Sequence, residues 1–130
     1  MSEEQAVVTV DVSDSILGRV FGIKDVTISI DHLWMRLGPG PRMHLMTVCV
    51  VRSEKPVRMG HGLAVLHPDE RYDRAVGERT ACRRAIDDYL AKLERSEAVS
   101  LNRRAARGIL WSAVVADAGW TTLKQAAGAR

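Results

Sequence analysis

The sequence predicts an α+β fold, in which an antiparallel β-sheet of about four to five strands forms a meander and two C-terminal α-helices follow, packed on one face. Segments with alternating apolar and polar residues are grouped before residue 66, whereas apolar residues after residue 76 recur with a helical period. The length of 130 residues suits a single core. We therefore predict one domain over residues 1–130, divided into a sheet (6–66), a long helix (68–95), a second helix (100–116) and a tail (120–130).

The strands are predicted from period-two alternation, apolar runs and turn residues. These patterns place strands over residues 6–12, 26–37, 43–51 and 57–66. The loop Gly38-Pro39-Gly40-Pro41 separates the second strand from the third, because proline cannot donate to a ladder. The third strand is apolar on both faces, which is typical of a central strand. Residues 15–24 fit either a short amphipathic helix or a strand loosened by glycine.

Three glycines mark places where the sequence predicts unusual packing. Gly60 and Gly62 leave one face of the last strand bare, which indicates a bulge or the close approach of another segment. Gly77 costs about 1 kcal/mol relative to alanine inside a helix, so we expect the long helix to pass close to the sheet there.

The two helices are predicted from their apolar stripes. The long helix should bury Ala81, Ala85, Ile86, Tyr89, Leu90 and Leu93, and expose Glu78, Arg79, Arg83, Asp87, Lys92 and Glu94. The second helix should bury the stripe Leu101, Ala105, Ile109, Ala113 and Ala116.

Charge is unevenly distributed along the chain, whose formal net charge is +3. Residues 57–130 carry thirteen Lys/Arg against nine Asp/Glu, and residues 1–56 carry six against seven. Arginine supplies most of this excess and suits planar contacts to phosphate, although GC-rich coding gives the same composition. The acidic start does not resemble a signal peptide, and no run reaches the about 18–20 apolar residues that a membrane span needs. We therefore predict a cytoplasmic protein.

Catalytic and metal-binding patterns are absent from the sequence. It contains no G-x-S-x-G motif, no P-loop and no dinucleotide-binding glycine motif. A metal site at His61 and His67 would need Asp69 as a third ligand, and zinc sites normally show tighter spacing. Cys49 and Cys82 are predicted to be free, buried thiols. We therefore expect a non-enzymatic protein without a metal or a cofactor.

The second helix carries arginines next to an aromatic residue. Arg103 or Arg104 falls on the same helical face as Arg107 and Trp111, which would suit phosphates and a stacked base. A solvated arginine face whose aliphatic stems cover Trp111 is the simpler interpretation.

The junction between the sheet and the long helix holds the other candidate site. Pro68-Asp69-Glu70 has the composition of a first helical turn, where backbone N–H groups attract anions. A ligand site at this junction would use Arg71, Tyr72, Arg79 and Arg83, with His67 close by. An aromatic ring and arginines at a helix N-terminus suit a nucleotide-like anion, although a well-capped helix also explains these residues.

A spaced pattern covers about a quarter of the chain and includes Gly62, Ala64, Pro68, Asp69 or Glu70, Tyr72, Asp73, Gly77, Ala81, Arg84 and Ala85. It resembles a pattern in small phage-encoded proteins, in particular the phage anti-Thoeris sponge family. Members of that family sequester cyclic ADP-ribose-type signals and so block a bacterial immune effector. The resemblance implies binding without catalysis and a homo-oligomer that encloses the nucleotide between protomers.

The leading hypothesis is therefore a phage counter-defence protein in the cytoplasm of an infected bacterium, which binds and sequesters a small anionic (cyclic) nucleotide. Two alternatives stay open. One is a nucleic-acid-binding module that uses the basic second helix, for which a net charge of +3 is modest. The other is an anti-CRISPR-type inhibitor that binds a bacterial defence protein.

Overall fold

A computed structural model describes residues 5–36, 38–54, 57–65, 74–97 and 100–116. The described residues form β1 (Gln5–Asp11), α1 (Ile16–Phe21), β2 (Asp25–Arg36), β3 (Met43–Glu54), β4 (Val57–Val65), α2 (Arg74–Glu97) and α3 (Arg103–Ala116). The predicted α+β class is confirmed, and the ambiguous residues 15–24 contain the helix α1. His67, Arg71, Tyr72 and the predicted tail lie outside the described residues. None of the described helices is long and apolar enough to cross a membrane.

The sheet is an antiparallel meander with strand order β1-β2-β3-β4. Its register pairs Ile28 with Val51, and Ile30 with Cys49, which in turn lies beside Gly62 on β4. Cross-strand partners lie on the same face of a sheet. Because these residues are buried, this face forms one wall of the core.

Helix α1 connects the first two strands and has caps at both ends. The Ser15 hydroxyl accepts a hydrogen bond from the Leu17 N–H at 3.2 Å. Gly22 ends the helix in the left-handed region, with φ of 72°, and its N–H donates to the Gly18 carbonyl. Leu17 is fully buried, so this short helix contributes to the core.

Helix α2 lies directly on the sheet. Its predicted apolar stripe is confirmed, since Ala81, Ala85, Ile86, Tyr89, Leu90 and Leu93 are all fully buried. A Cβ added at Gly60 or Gly62 would overlap the α2 backbone, so these glycines mark a close approach and the ladder shows no bulge there. A Cβ at Gly77 would come 3.1 Å from Thr47 Oγ1, which confirms close packing at this turn as well.

Helix α2 also covers the outer edge of β4 with three side chains spaced one turn apart. Asp88 accepts a hydrogen bond from the His61 N–H at 2.9 Å. Arg84 donates to the Leu63 carbonyl at 2.6 Å, and Lys92 donates to the Met59 carbonyl at 3.0 Å. These bonds satisfy backbone groups that an edge strand otherwise leaves open to pairing with another chain.

The predicted apolar stripe of α3 is wrong by one position. The buried residues are Ala106, Leu110 and Val114, together with Leu101 before the helix, whereas Ala105 is exposed. Burial of leucine and valine removes more apolar area from water than burial of the neighbouring alanines, so the helix turns its larger side chains inward. The Asn102 side chain caps α3 by accepting a hydrogen bond from the Ala105 N–H at 3.1 Å.

Candidate functional site

A cleft of about 300 Å³ lies between α2 and α3. We call it the α2–α3 cleft, and its described lining consists of Arg83, Ile86, Arg104, Arg107, Gly108 and Trp111. The volume is at the lower end of the range of about 300–1,000 Å³ for small-molecule sites. The lining combines guanidinium groups with an indole and an isoleucine, so it offers both charge and apolar surface.

The two helices position the lining through their periodicity. Residues 107 and 108 follow residue 104 by three and four positions, and residue 111 follows them by four and three, so all four share one side of α3. An ion pair from Arg107 Nε to Asp87 Oδ1, 2.7 Å long, joins this face to α2. Ile86 is fully buried and Trp111 packs partly against the core, which gives the cleft a firm apolar wall.

The arginines of the cleft differ in their partners. Arg107 is held by Asp87, whereas Arg83 and Arg104 are exposed and have no ion-pair partner among the described residues. The cleft thus brings together three guanidinium groups and one carboxylate. The first turn of α3 contains no acidic residue, so the positive end of the helix dipole adds to this charge.

Arg103 points away from the cleft toward Glu94 on α2. Its guanidinium donates a hydrogen bond to the Glu94 carboxylate, which also accepts one from the Leu101 N–H at 3.2 Å. The bond from Arg103, and then the backbone N–H, lower the pKa of Glu94 below its usual value of 4.5. The Arg103–Glu94 ion pair therefore stabilises the packing of α3 against α2.

The cleft combines residues from both predicted sites. Arg83 comes from the junction set, and Arg104, Arg107 and Trp111 come from the second helix. Arg79 lies one turn before Arg83 on α2 and is not among the described lining residues. The junction residues His67, Arg71 and Tyr72 stay predictions.

Sequence reasoning missed Ile86 and Gly108 as lining residues. Ile86 was predicted as core and is fully buried, and it also lies beneath the surface of the cleft. The available signal was Gly108, because a glycine inside an amphipathic helix costs stability unless close packing or function requires it. An added Cβ at Gly108 meets nothing within 4 Å, so packing does not require this glycine.

A buried polar cluster links α2 to the sheet and corrects one prediction. Glu78 was expected to face solvent, yet it is only 5% exposed. It lies one turn before Ala81 on the same stripe, so extending the period by one turn would have found it. The His32 Nε2–H donates to Glu78 Oε2 at 3.1 Å, and the Thr47 hydroxyl lies 3.2 Å from His32 Nδ1. In the neutral ring this Nδ1 accepts from the hydroxyl.

The two cysteines meet in the core, one from β3 and one from α2. Their sulfur atoms are 3.5 Å apart, and both thiols are free and fully buried. The hydrogen bond between the sulfurs, together with burial, raises the pKa of Cys49 above its usual value of 9.0. A thiol of this kind behaves as a small apolar core residue. The described residues contain no cluster of three or more His, Cys, Asp or Glu that could hold a metal ion.

Comparison with known proteins identified no matching family model, no matching curated protein and no matching solved structure.

Proposed function

We propose that this protein binds a small anionic nucleotide in the α2–α3 cleft. The observation that carries the proposal is the meeting of Arg83 and Arg104 beside the indole of Trp111. Guanidinium groups form paired hydrogen bonds with phosphate oxygens, and an indole offers a surface on which a base can stack. One mononucleotide needs both kinds of contact within a space of this size.

The charge of the cleft favours an anion over a neutral ligand. Arg83 and Arg104 are exposed cations without ion-pair partners among the described residues, so a phosphate need not displace a carboxylate from either one. The third arginine, Arg107, already bonds Asp87 and is held in place before any ligand arrives. Such preorganisation reduces the side-chain entropy that binding costs.

The shape of the cleft at Gly108 also supports ligand binding there. A Cβ added at Gly108 would stand at the wall of the cleft and would meet nothing within 4 Å. Its place inside α3 costs about 1 kcal/mol relative to alanine. Free space for a ligand explains why the helix has no side chain there.

The proposal includes capture of the nucleotide without its chemical conversion. The described lining supplies cations and apolar groups and contains no serine, cysteine or histidine. The resemblance of residues 62–85 to the anti-Thoeris sponge family supplies a biological setting, in which a phage protein in the bacterial cytoplasm removes a cyclic nucleotide signal. Arg71, Tyr72 and His67 would contribute to binding only if the junction extends the cleft.

The direct test is calorimetric titration with AMP, cyclic AMP, ADP-ribose and cyclic ADP-ribose, with adenosine as the uncharged control. We expect at least one phosphate-bearing compound to bind and adenosine to bind much more weakly. Loss of one charged hydrogen bond costs about 1.5–3 kcal/mol, so Arg83→Gln and Arg104→Gln should each weaken binding about 10- to 100-fold. Absence of binding across the whole panel would refute the proposal.

Arg95→Gln is the matched control for these variants. Arg95 is an exposed arginine in the last turn of α2 and lies twelve residues beyond Arg83, a separation of about 18 Å along a helix. Its substitution removes the same charge from the same helix and should leave the dissociation constant unchanged. A loss equal to that of Arg83→Gln would mean that net charge, and not the cleft, controls binding.

The phage setting has a separate test. Expression of the protein in bacteria that carry a Thoeris defence system should restore plaque formation by a sensitive phage. Arg104→Gln should abolish the restoration if capture in the cleft is its cause. Unchanged resistance would reject the setting while leaving the binding measurements to decide on the site itself.

The nucleic-acid alternative receives less support from the arginines. Arg103 is paired with Glu94 and does not line the cleft, so one of the three phosphate contacts proposed for a nucleic acid is already engaged elsewhere. Binding to DNA or RNA would fall steeply with salt, because each phosphate contact releases a counterion. Binding of a mononucleotide that depends only weakly on salt, together with no detectable binding of oligonucleotides, would favour the nucleotide function over the nucleic-acid function.

A further inference from the structure

The two cysteine thiols form a pair that neither the cleft nor the buried polar cluster uses. Cys49 lies on β3 and Cys82 on α2, 33 positions apart along the chain. Both are fully buried, and their sulfur atoms are 3.5 Å apart. The chain contains two cysteines in all, so the fold places each one against the only other thiol.

The distance between the sulfurs suits conversion to a disulfide. A disulfide bond is about 2.05 Å long, so the two sulfur atoms need to approach by about 1.5 Å. Rotation of the two side chains about their Cα–Cβ bonds supplies a movement of this size when the backbones already lie close together. The Cα atoms of a disulfide are about 4.4–6.8 Å apart. The approach of α2 to the sheet therefore decides whether the bond can form.

The backbone of α2 comes close to the sheet in the row of Cys49. Cys49 pairs with Gly62 on β4. A Cβ added at Gly62 would overlap the carbonyl oxygen of Ala81, the residue before Cys82. Because Gly62 has no side chain, this turn of α2 lies directly on the sheet beside β3. The contact that Gly62 permits thus brings the backbone of Cys82 within reach of Cys49.

We propose that Cys49 and Cys82 form an oxidative modification site, at which a small-molecule disulfide such as oxidised glutathione converts the two thiols into one intramolecular disulfide. Their mutual contact distinguishes this role from simple core packing, since another small apolar side chain at either position would fill the same space. Disulfides of cytosolic proteins are usually transient and redox-sensing. A bond that forms and breaks between β3 and α2 fits that use.

The oxidation proceeds by two thiol–disulfide exchanges. One cysteine, as its thiolate, attacks a sulfur of oxidised glutathione, forms a mixed disulfide and releases one glutathione thiolate. The second cysteine gives up its proton and attacks the protein sulfur of the mixed disulfide, which forms the Cys49–Cys82 bond and releases the second glutathione. The two protein thiols lose two electrons and two protons, and one glutathione disulfide becomes two glutathione thiols. Because both thiols are buried, the first exchange occurs while this part of the chain is open, during folding or local unfolding.

The fold and the bond should favour each other. In the unfolded chain the two sulfurs meet rarely, because 33 positions of flexible chain separate them, whereas the folded chain holds them in contact. The bond in turn reduces the conformational freedom of the unfolded chain. It also ties the turn of α2 that carries Arg83, a residue of the cleft, to the sheet. The oxidised protein should therefore resist unfolding better than the reduced protein does.

Refolding in glutathione buffers tests the site. The parent chain is diluted from urea into a series of ratios of reduced to oxidised glutathione, and free thiols are then counted under denaturing conditions. We expect oxidised chains to lose both thiols and two hydrogen atoms in mass, without forming a covalent dimer. The equilibrium constant for forming the disulfide should be at least about tenfold larger in the folded chain than in concentrated urea. The oxidised chain should also have the higher urea midpoint.

Cys49→Ala and Cys82→Ala are the matched controls, because each keeps one thiol in the same surroundings. Neither should gain stability from oxidised glutathione. Equal equilibrium constants in the folded chain and in urea would overturn the proposal, and so would products that are only glutathione adducts or cross-linked dimers. The comparison of the parent chain with itself in urea needs no variant, so it stands even if an alanine variant folds poorly. No nucleotide enters this experiment, so its outcome is independent of binding in the cleft.

Discussion

Single glycines account for two features of this fold, the close contact of α2 with β4 and the open space in the cleft. At Gly60 and Gly62 a side chain would overlap the backbone of α2, so glycine is what lets the helix lie on the strand. At Gly108 an added Cβ would meet nothing within 4 Å, although the residue sits inside a helix. The same residue type therefore serves packing at one place and leaves room at another.

Gly62→Ala should destabilise the protein strongly. The new Cβ would overlap the Ala81 carbonyl and the Ala85 N–H, so α2 must shift away from the sheet. Overpacking of this kind costs about 1–3 kcal/mol, measurable as a lower urea midpoint. Gly40→Ala is the control, because its Cβ meets nothing within 4 Å and its stability should stay within about 0.5 kcal/mol of the parent. If Gly62→Ala and Gly40→Ala changed the urea midpoint equally, the close approach of α2 to β4 at Gly62 would be contradicted.

Gly108→Ala should change stability and binding in opposite directions. Alanine gains about 1 kcal/mol over glycine in a helix interior, so the urea midpoint should rise. The added methyl group enters the cleft, so nucleotide affinity should fall, and Gly108→Leu should reduce it further. Urea denaturation and calorimetry on the same samples give both values. Unchanged affinity in Gly108→Leu would show that the ligand does not occupy this wall.

At the scale of elements, α2 has two roles, because it buries one face of the sheet and also closes its β4 edge. The buried stripe supplies the apolar contacts, and the row Arg84, Asp88 and Lys92 supplies polar contacts to the edge of β4. Edge strands need such protection against pairing with other chains. The second helix, α3, is held to α2 by ion pairs at Asp87 and Glu94, and the cleft lies beside them.

Asp88 makes the closure of the β4 edge dependent on pH. Burial alone would raise the pKa of Asp88, but the His61 N–H and the Lys92 ammonium outweigh it and hold that pKa below the usual value of 3.8. A carboxyl group with a lowered pKa stabilises the fold above its unfolded pKa, and this stability is lost as the pH falls through the folded pKa. The edge contact should therefore weaken in acid.

We expect Asp88→Asn to lower the free energy of unfolding at pH 7 and to make its decrease below about pH 4 shallower. Urea denaturation at a series of pH values from 7 to 3 measures both effects. Asparagine has nearly the size of aspartate, and its side-chain oxygen can still accept a hydrogen bond from the His61 N–H. A change in stability would therefore reflect the lost charge and not a lost side chain. A variant that keeps the full acid dependence of the parent would mean that other carboxyl groups, such as Glu94, cause it.

For the whole molecule, stability should be distributed unevenly between the sheet and the last helix. Strands β2 and β3 are bonded on both sides and share a fully buried core with α2. Among the residues of α3 whose burial is described, three are fully buried, and two ion pairs join the helix to α2. Elements with few buried contacts open at lower free energy than the core does.

Hydrogen exchange should show that α3 is less stable than the sheet and that a ligand stabilises α3. Amides of α3 should exchange faster than those of β2 and β3 in the free protein. A nucleotide at 100 times its dissociation constant adds about 2.7 kcal/mol, which should slow exchange in α3 and in the facing turns of α2. Mass spectrometry of peptides covering residues 100–116 reads this out. Protection confined to the sheet would place the ligand elsewhere.

Local patterns predicted the parts of the fold that depend on one segment at a time. Alternation in Val26, Ile28 and Ile30 identified a core strand, and the stripe of α2 was correct because its large residues all lie on one side. In α3 two apolar stripes compete, one with Ala105 and one with Leu110, and periodicity does not rank them. Glu78 was misjudged because its charge was weighed above its position on the stripe.

The sequence by itself determined the α+β class and the meander, since periodicity is a property of the chain alone. It also indicated close packing at Gly77, whereas at Gly60 and Gly62 it left a bulge and a close approach open, and the unbroken ladder decided between them. Only the tertiary structure decided which arginines meet. Arg83 and Arg104 lie on different helices, and their proximity depends on how α3 rotates against α2. That rotation follows from burying Leu110 and Val114 and from the Arg107–Asp87 pair, which are contacts between segments far apart in the chain.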